Sequence, residues 1–156
     1  MPDQSKVATR PDFQNVSAAR RRNMAAIKAR NTRPELQVRQ LLHRLGYRFR
    51  LHKRDLPGRP DIVLPGRRAA IFVHGCFWHG HGCRNSVLPR TRADWWEAKL
   101  NRTAERDGQN IEALTTLGWK VLVLWECMLG DEAALEASVK EALGPPRLAR
   151  RHECAN

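Results

Sequence analysis

DIVLPGRRAAIFVHGCFWHGHGC, residues 61 to 83, is the stretch on which the fold turns. Its first half holds two apolar runs, DIVLP and RAAIFVHG, separated by Pro65-Gly66. That pattern predicts two strands joined as a hairpin. Its second half, HGCFWHGHGC (74–83), gathers three His, two Cys, three Gly and an adjacent Phe-Trp pair into ten residues. Ordinary connecting loops do not carry that chemistry. A metal site, a catalytic site and a surface for flat ligands are all open readings.

Upstream, YRFRLHK (47–53) alternates and predicts a strand, and LPGRP (56–60) a turn. TRPELQVRQLLHRLG (32–46) predicts a helix. Thr32 and Glu35 match a capping box, Leu36, Val38, Leu41, Leu42 and Leu45 supply the apolar positions, and Gly46 ends it. Before it, SAARRRNMAAIKAR (17–30) predicts an Arg-rich helix with Met24 and Ile27 on one side. Downstream, residues 91–118 form a long helical region with Leu100, Ala104, Ile111 and Leu114 towards the core. WKVLVLWE (119–126) predicts a fully covered strand and DEAALEASVKEALG (131–144) a closing helix. The order ααβββαβα implies an α/β domain with a central mixed sheet, covered on both faces and flanked by helices. Residues 1–15 are expected to be a flexible lead, 16–144 a single domain, and 145–156 a flexible basic tail.

The chain's 156 residues suffice for one compact domain. No apolar run approaches the roughly 18 residues of a membrane helix. The N-terminus lacks the apolar core of a signal peptide, so a cytoplasmic location is expected. In that reducing compartment the four cysteines are not expected to form disulfides, and Cys154 reads as a free thiol in the tail. Lys and Arg number 28 against 16 Asp and Glu, a net charge of +12 dominated by Arg. The Arg fork suits phosphate, and a small domain of this charge points to nucleic acid.

Cys76-x4-His81-x-Cys83, with Cys127 at the end of the later strand, has the donor set of structural zinc. Unliganded buried thiols are the competing reading. His74 and His79, outside that quartet, suit general acid or base work or simply line the surface. Asp61 follows Pro60 at a strand entry, where it either closes a turn or holds Mg²⁺ for phosphodiester cleavage. Glu35 is accounted for by the capping box. Phe77 and Trp78 form either a satellite cluster or a wedge between bases, and Met24 either a core residue or a second wedge.

RRRNMAAIKARNTRPE (20–35), LPGRPDIV, IFVHGCFWHGHGC, LPRTRADWW and LGWKVLVLWEC together resemble the very short patch repair endonucleases, bacterial enzymes that nick DNA at T:G mismatches. The likeness runs from about residue 20 to 129. It implies a restriction-endonuclease-like fold with structural Zn²⁺ on Cys76, His81, Cys83 and Cys127. It implies a catalytic Mg²⁺ on Asp61 and the main-chain carbonyl of Val73, with His79 catalytic and Glu35 and His74 in the active site. Phe77, Trp78 and Trp96 match the aromatics that intercalate beside the mismatch, and Met24 the wedge from the other side. Val73 stands where the well-known bacterial form has Thr, and HGHG replaces the HHHH run common after Phe-Trp. The expected function is therefore Mg²⁺-dependent nicking of one strand of a T:G-mismatched duplex, by a monomer in the bacterial cytoplasm and nucleoid. Mismatch-repair proteins are further expected partners. A restriction-type nuclease of the same fold acting on matched DNA, and a non-catalytic zinc-stabilised DNA-binding module, are the alternatives.

Overall fold

A computed structural model describes residues 17–19, 22 and 30–146. The chain divides into two units, residues 1–32 and 33–156, and the account below concerns the second. Met24, Cys154, the lead and most of the basic tail lie outside the described residues, as does most of the helix expected over 17–30.

The second unit runs α1 (Arg33–Arg44), β1 (Arg50–Leu51), β2 (Ile62–Leu64), β3 (Ala69–His74), α2 (Ala93–Thr116), β4 (Lys120–Trp125) and α3 (Glu132–Leu143). The strands form one mixed sheet in the order β1-β2-β3-β4. β2 and β3 make the expected antiparallel hairpin, turning through a short 3₁₀ segment at Pro65–Arg67. β3 and β4 are parallel, paired from Ala69↔Lys120 to His74↔Trp125. The long helix α2 makes the crossover that parallel strands require.

Alternate residues of β3 serve two cores. Ala69 and Ile71, with Val73 packed beside them, join Val38, Leu41 and Leu42 of α1 and Leu135, Val139 and Leu143 of α3. Ala70 and Phe72 join Leu114 and the half-buried Ile111 of α2. The helices end where the sequence says they should. Asp131 caps α3 by accepting from Ala134 N at 3.0 Å, and Gly46 leaves α1 at φ +82°, a conformation suited to Gly.

Three expectations need correction. The strand expected over 47–53 shrinks to Arg50–Leu51. Its partner β2 is only three residues long and is bracketed by Pro60 and Pro65, which have no N–H to extend a ladder. Tyr47 instead buries its ring and donates its hydroxyl to Gly144 O at 2.6 Å. β4 is an edge strand among the described residues, and only Leu124 of it is buried. Leu36 is 45% exposed and Ala104 is exposed, so neither lies on the stripe assigned to it. The buried stripe of α1 is Glu35, Val38, Arg39 and Leu42, with Leu41 beside it. Two charged residues thus occupy helix positions where apolar ones belong.

Ile71 is fully buried, so Ile71→Ala should lower unfolding free energy by about 2–5 kcal/mol. Leu36→Ala should stay within about 0.5 kcal/mol. Urea denaturation of both variants checks the face assignment; equal costs would contradict it.

Candidate active site

The C-terminal end of β3 collects the chemistry. Asp61, just before β2, accepts from Val73 N through Oδ2 at 2.8 Å, which anchors the carboxylate to the edge of β3. Burial is the main cause raising its carboxyl pKa above the ordinary value, and the nearby Glu35 pushes the same way. The Val73 N–H, His52 and Arg39 oppose the shift. Glu35 is 3% exposed, and its Oε2 accepts from Arg39 Nη2 at 2.7 Å. One ligand atom each from Glu35, His52 and Asp61 lies within 4.8 Å of the others. Two converging carboxylates, one of them disfavoured as an anion by burial, fit a hard divalent cation. Glu35 therefore faces the site, which the capping-box reading alone did not require.

A second cluster is built by the loop that follows β3. His74 and His79 stack with ring centroids 3.7 Å apart and 4° between planes. His79 Nδ1 meets Asp107 Oδ2 at 2.5 Å. Burial, and then the neighbouring His79, push His74 down to about 4, so it is neutral at physiological pH. Asp107 comes from α2 and was missed in the sequence. The signal was there: residues 100, 107, 111 and 114 share one helix face, so an acid at 107 stands on the inward stripe.

The loop itself is tied by Cys76, His81, Cys83 and Cys127, whose ligand atoms all lie within 4.8 Å of one another. Cys127 Sγ and His81 Nδ1 are 3.4 Å apart. Bond lengths to tetrahedral zinc place neighbouring ligand atoms roughly 3.4–3.8 Å apart, so the donor set and spacing fit. Cys76 is buried and its Sγ accepts from Cys127 N at 3.3 Å. Gly80 and Gly82, at φ +63° and +79°, supply the left-handed turns that bring His81 and Cys83 round. His81 also stacks on Trp125, centroids 4.1 Å apart.

Beside this loop lies an aromatic patch. Phe77 packs on Trp78 and Trp96 at 5.0 and 5.2 Å, and Trp78 remains 36% exposed. Lys99 Nζ stands 5.0–5.3 Å from the centroids of Trp78, Trp95 and Trp96. Trp95 and Lys99 extend the patch beyond the three aromatics expected from the sequence. Met24 lies outside the described residues.

The raised Asp61 carboxyl makes a prediction about stability. A group whose folded pKa lies above its unfolded value costs stability as pH rises through that window. In protein stripped of divalent ions, Asp61→Asn should therefore raise the melting temperature at pH 7 and lose that advantage below the ordinary carboxylate range. Thermal melts across pH check this; a lower melting temperature at pH 7 would contradict it.

The model of the DNA mismatch endonuclease Vsr family matches residues 5–85. A type II nicking enzyme of Xanthomonas oryzae pv. oryzae is 54% identical over 126 residues, covering 81% of this chain and 93% of that one. The DNA mismatch endonuclease Vsr of Escherichia coli is 43% identical over 127 residues, 81% of each chain. A type II nicking enzyme of Neisseria meningitidis is 40% identical over 110 residues, 70% of this chain and 79% of that one.

Proposed function

The chain belongs to the Vsr family of DNA mismatch endonucleases, and we propose that it nicks one strand of duplex DNA at a T:G mismatch with the help of Mg²⁺. The observation that carries this is the convergence, at one end of β3, of Asp61 bonded to Val73 N and of His79 bonded to Asp107. An acidic cation site and an oriented histidine at one strand end suit phosphodiester hydrolysis. The fold assigned with it is restriction-endonuclease-like, acting as a monomer in the bacterial cytoplasm and nucleoid, alongside mismatch-repair proteins.

Asp61 and the carbonyl of Val73 would hold the catalytic ion, with Glu35 beside them. When bound, Mg²⁺ supplies Lewis acidity to the attacking water and the scissile phosphate. Asp107 holds the Nδ1 side of His79, which fixes the tautomer and leaves Nε2 to move a proton at the substrate. The neutral His74 ring stacked on it keeps that imidazole in plane without adding charge. Cys76, His81, Cys83 and Cys127 would take Zn²⁺ as a structural ion. The +12 charge draws in the phosphate backbone without regard to sequence. Selection then falls to Phe77, Trp78 and Trp96, with Met24 assigned to the opposite side. Their insertion costs less where bases already pair imperfectly.

A second reading has its own support, since relatives are named type II nicking enzymes. In it the chain acts on matched restriction sites. Duplexes carrying T:G or T:A at one position, incubated with and without Mg²⁺ and mapped for nicks, separate the two. Nicking of the T:G duplex alone is expected; equal nicking of both would favour the second reading. In the same assay Asp61→Ala should abolish cleavage while DNA binding persists. His79→Ala should slow turnover by ~10²–10⁴-fold, the usual range for a lost general acid or base. His79→Ala nicking at the wild-type rate would contradict the assigned role.

A further inference from the structure

The face of α1 that meets the sheet carries an ion pair where its neighbours are apolar. Glu35 and Arg39 lie one turn apart, with side chains 4% and 10% exposed. Arg39 Nη2 lies 2.7 Å from Glu35 Oε2 and 3.2 Å from His52 Nε2. A guanidinium only donates, so Nε2 is the acceptor in this contact. The lone pair that His52 would need for a metal is thereby directed at Arg39. His52 holds φ +49°, a strained conformation for a residue with a Cβ, and such residues persist where their surroundings impose them. Its N–H donates to Asp61 O at 3.3 Å, so the same residue touches both Arg39 and the backbone of Asp61.

We propose that Arg39 is a built-in counter-cation of the Asp61 site, which weakens binding of a divalent ion by neutralising Glu35 in advance. The inference rests on the assignment of the ion to Asp61 made above. Glu35 and Asp61 alone would offer an ion two negative charges at close range. With Arg39 fixed between Glu35 and His52, the net offer of these three side chains, among the described residues, is one negative charge. The guanidinium acts electrostatically on the Asp61 carboxylate, and burial leaves its repulsion of an incoming cation poorly screened. A site so balanced holds its ion firmly only when a further anion arrives, and the phosphate of bound DNA is that anion. Arg39 is thus a positioning residue: it fixes the Glu35 carboxylate and couples ion uptake to substrate.

Mn²⁺ titration of the full chain without DNA, followed by electron paramagnetic resonance, tests the proposal. Arg39→Gln should bind Mn²⁺ about tenfold more tightly than the wild type, because a like charge has gone. Its melting temperature should be lower without the ion and rise more on Mn²⁺ addition. Arg39→Lys, which keeps the charge, should bind close to the wild-type affinity. Arg39→Met, apolar and of similar reach, repeats the test if the Gln variant does not fold. Damage to the fold alone would weaken binding, so tighter binding is a readout no merely structural role produces. Equal or weaker binding by the charge-free variants, with Asp61→Asn abolishing Mn²⁺ binding, would overturn the role of Arg39 alone. Unchanged Mn²⁺ binding in Asp61→Asn would overturn the underlying ion assignment, and the inference with it.

Discussion

The parallel pairing of β3 with β4 is the constraint from which the site follows. Its register ends at His74↔Trp125, and two residues beyond each end stand Cys76 and Cys127. The sheet thus delivers two of the four sulfur and nitrogen donors before the loop contributes any. A slip of one residue would send Ile71 and Phe72 to the wrong cores and carry His74 away from Trp125. The pairing is held because both faces of β3 are buried, one against α1 and α3 and the other against α2.

From that strand end the two halves of the site diverge. Val73 offers its N–H to Asp61, while His74, the next residue, stacks on His79. Acid and imidazole are therefore set by consecutive residues of one rigid strand. The loop between Gly75 and Cys83 packs Phe77 and Trp78 against Trp96, but its other residues are small or polar. Its shape depends on the glycine turns and on the quartet of Cys and His. Loss of that quartet would free His79 from Asp107 without disturbing Asp61, because Asp61 is anchored through β3 and not through the loop.

Much of this was legible in the sequence, for identifiable reasons. The hairpin showed in the Pro65-Gly66 break, and the long helix in its spacing. The Cys/His quartet was readable because metal donors are chemically distinctive. Asp107 was not singled out, since a lone acid in a charged helix is usually solvated; only its place on the Leu100–Leu114 stripe marks it. Arg39 and His52 were hidden for a related reason. The apolar pattern of α1 was read through Leu36, Val38, Leu41, Leu42 and Leu45, of which Leu36 is exposed, and the inward face carries Glu35 and Arg39 among the apolar residues. The shortened β1 was unreadable because its length depends on a partner strand closed off by prolines at both ends.

Zinc on the Cys76, His81, Cys83 and Cys127 quartet, proposed above, would poise His79 over the β3 end. Metal analysis of the purified chain, paired with Cys83→Ala, tests it most directly. About one zinc per chain is expected. Cys83→Ala should lower zinc content and melting temperature together, and nicking of a T:G duplex should fall towards the level of His79→Ala. A zinc-free wild-type chain that melts and nicks as the Cys83→Ala variant does would contradict the account.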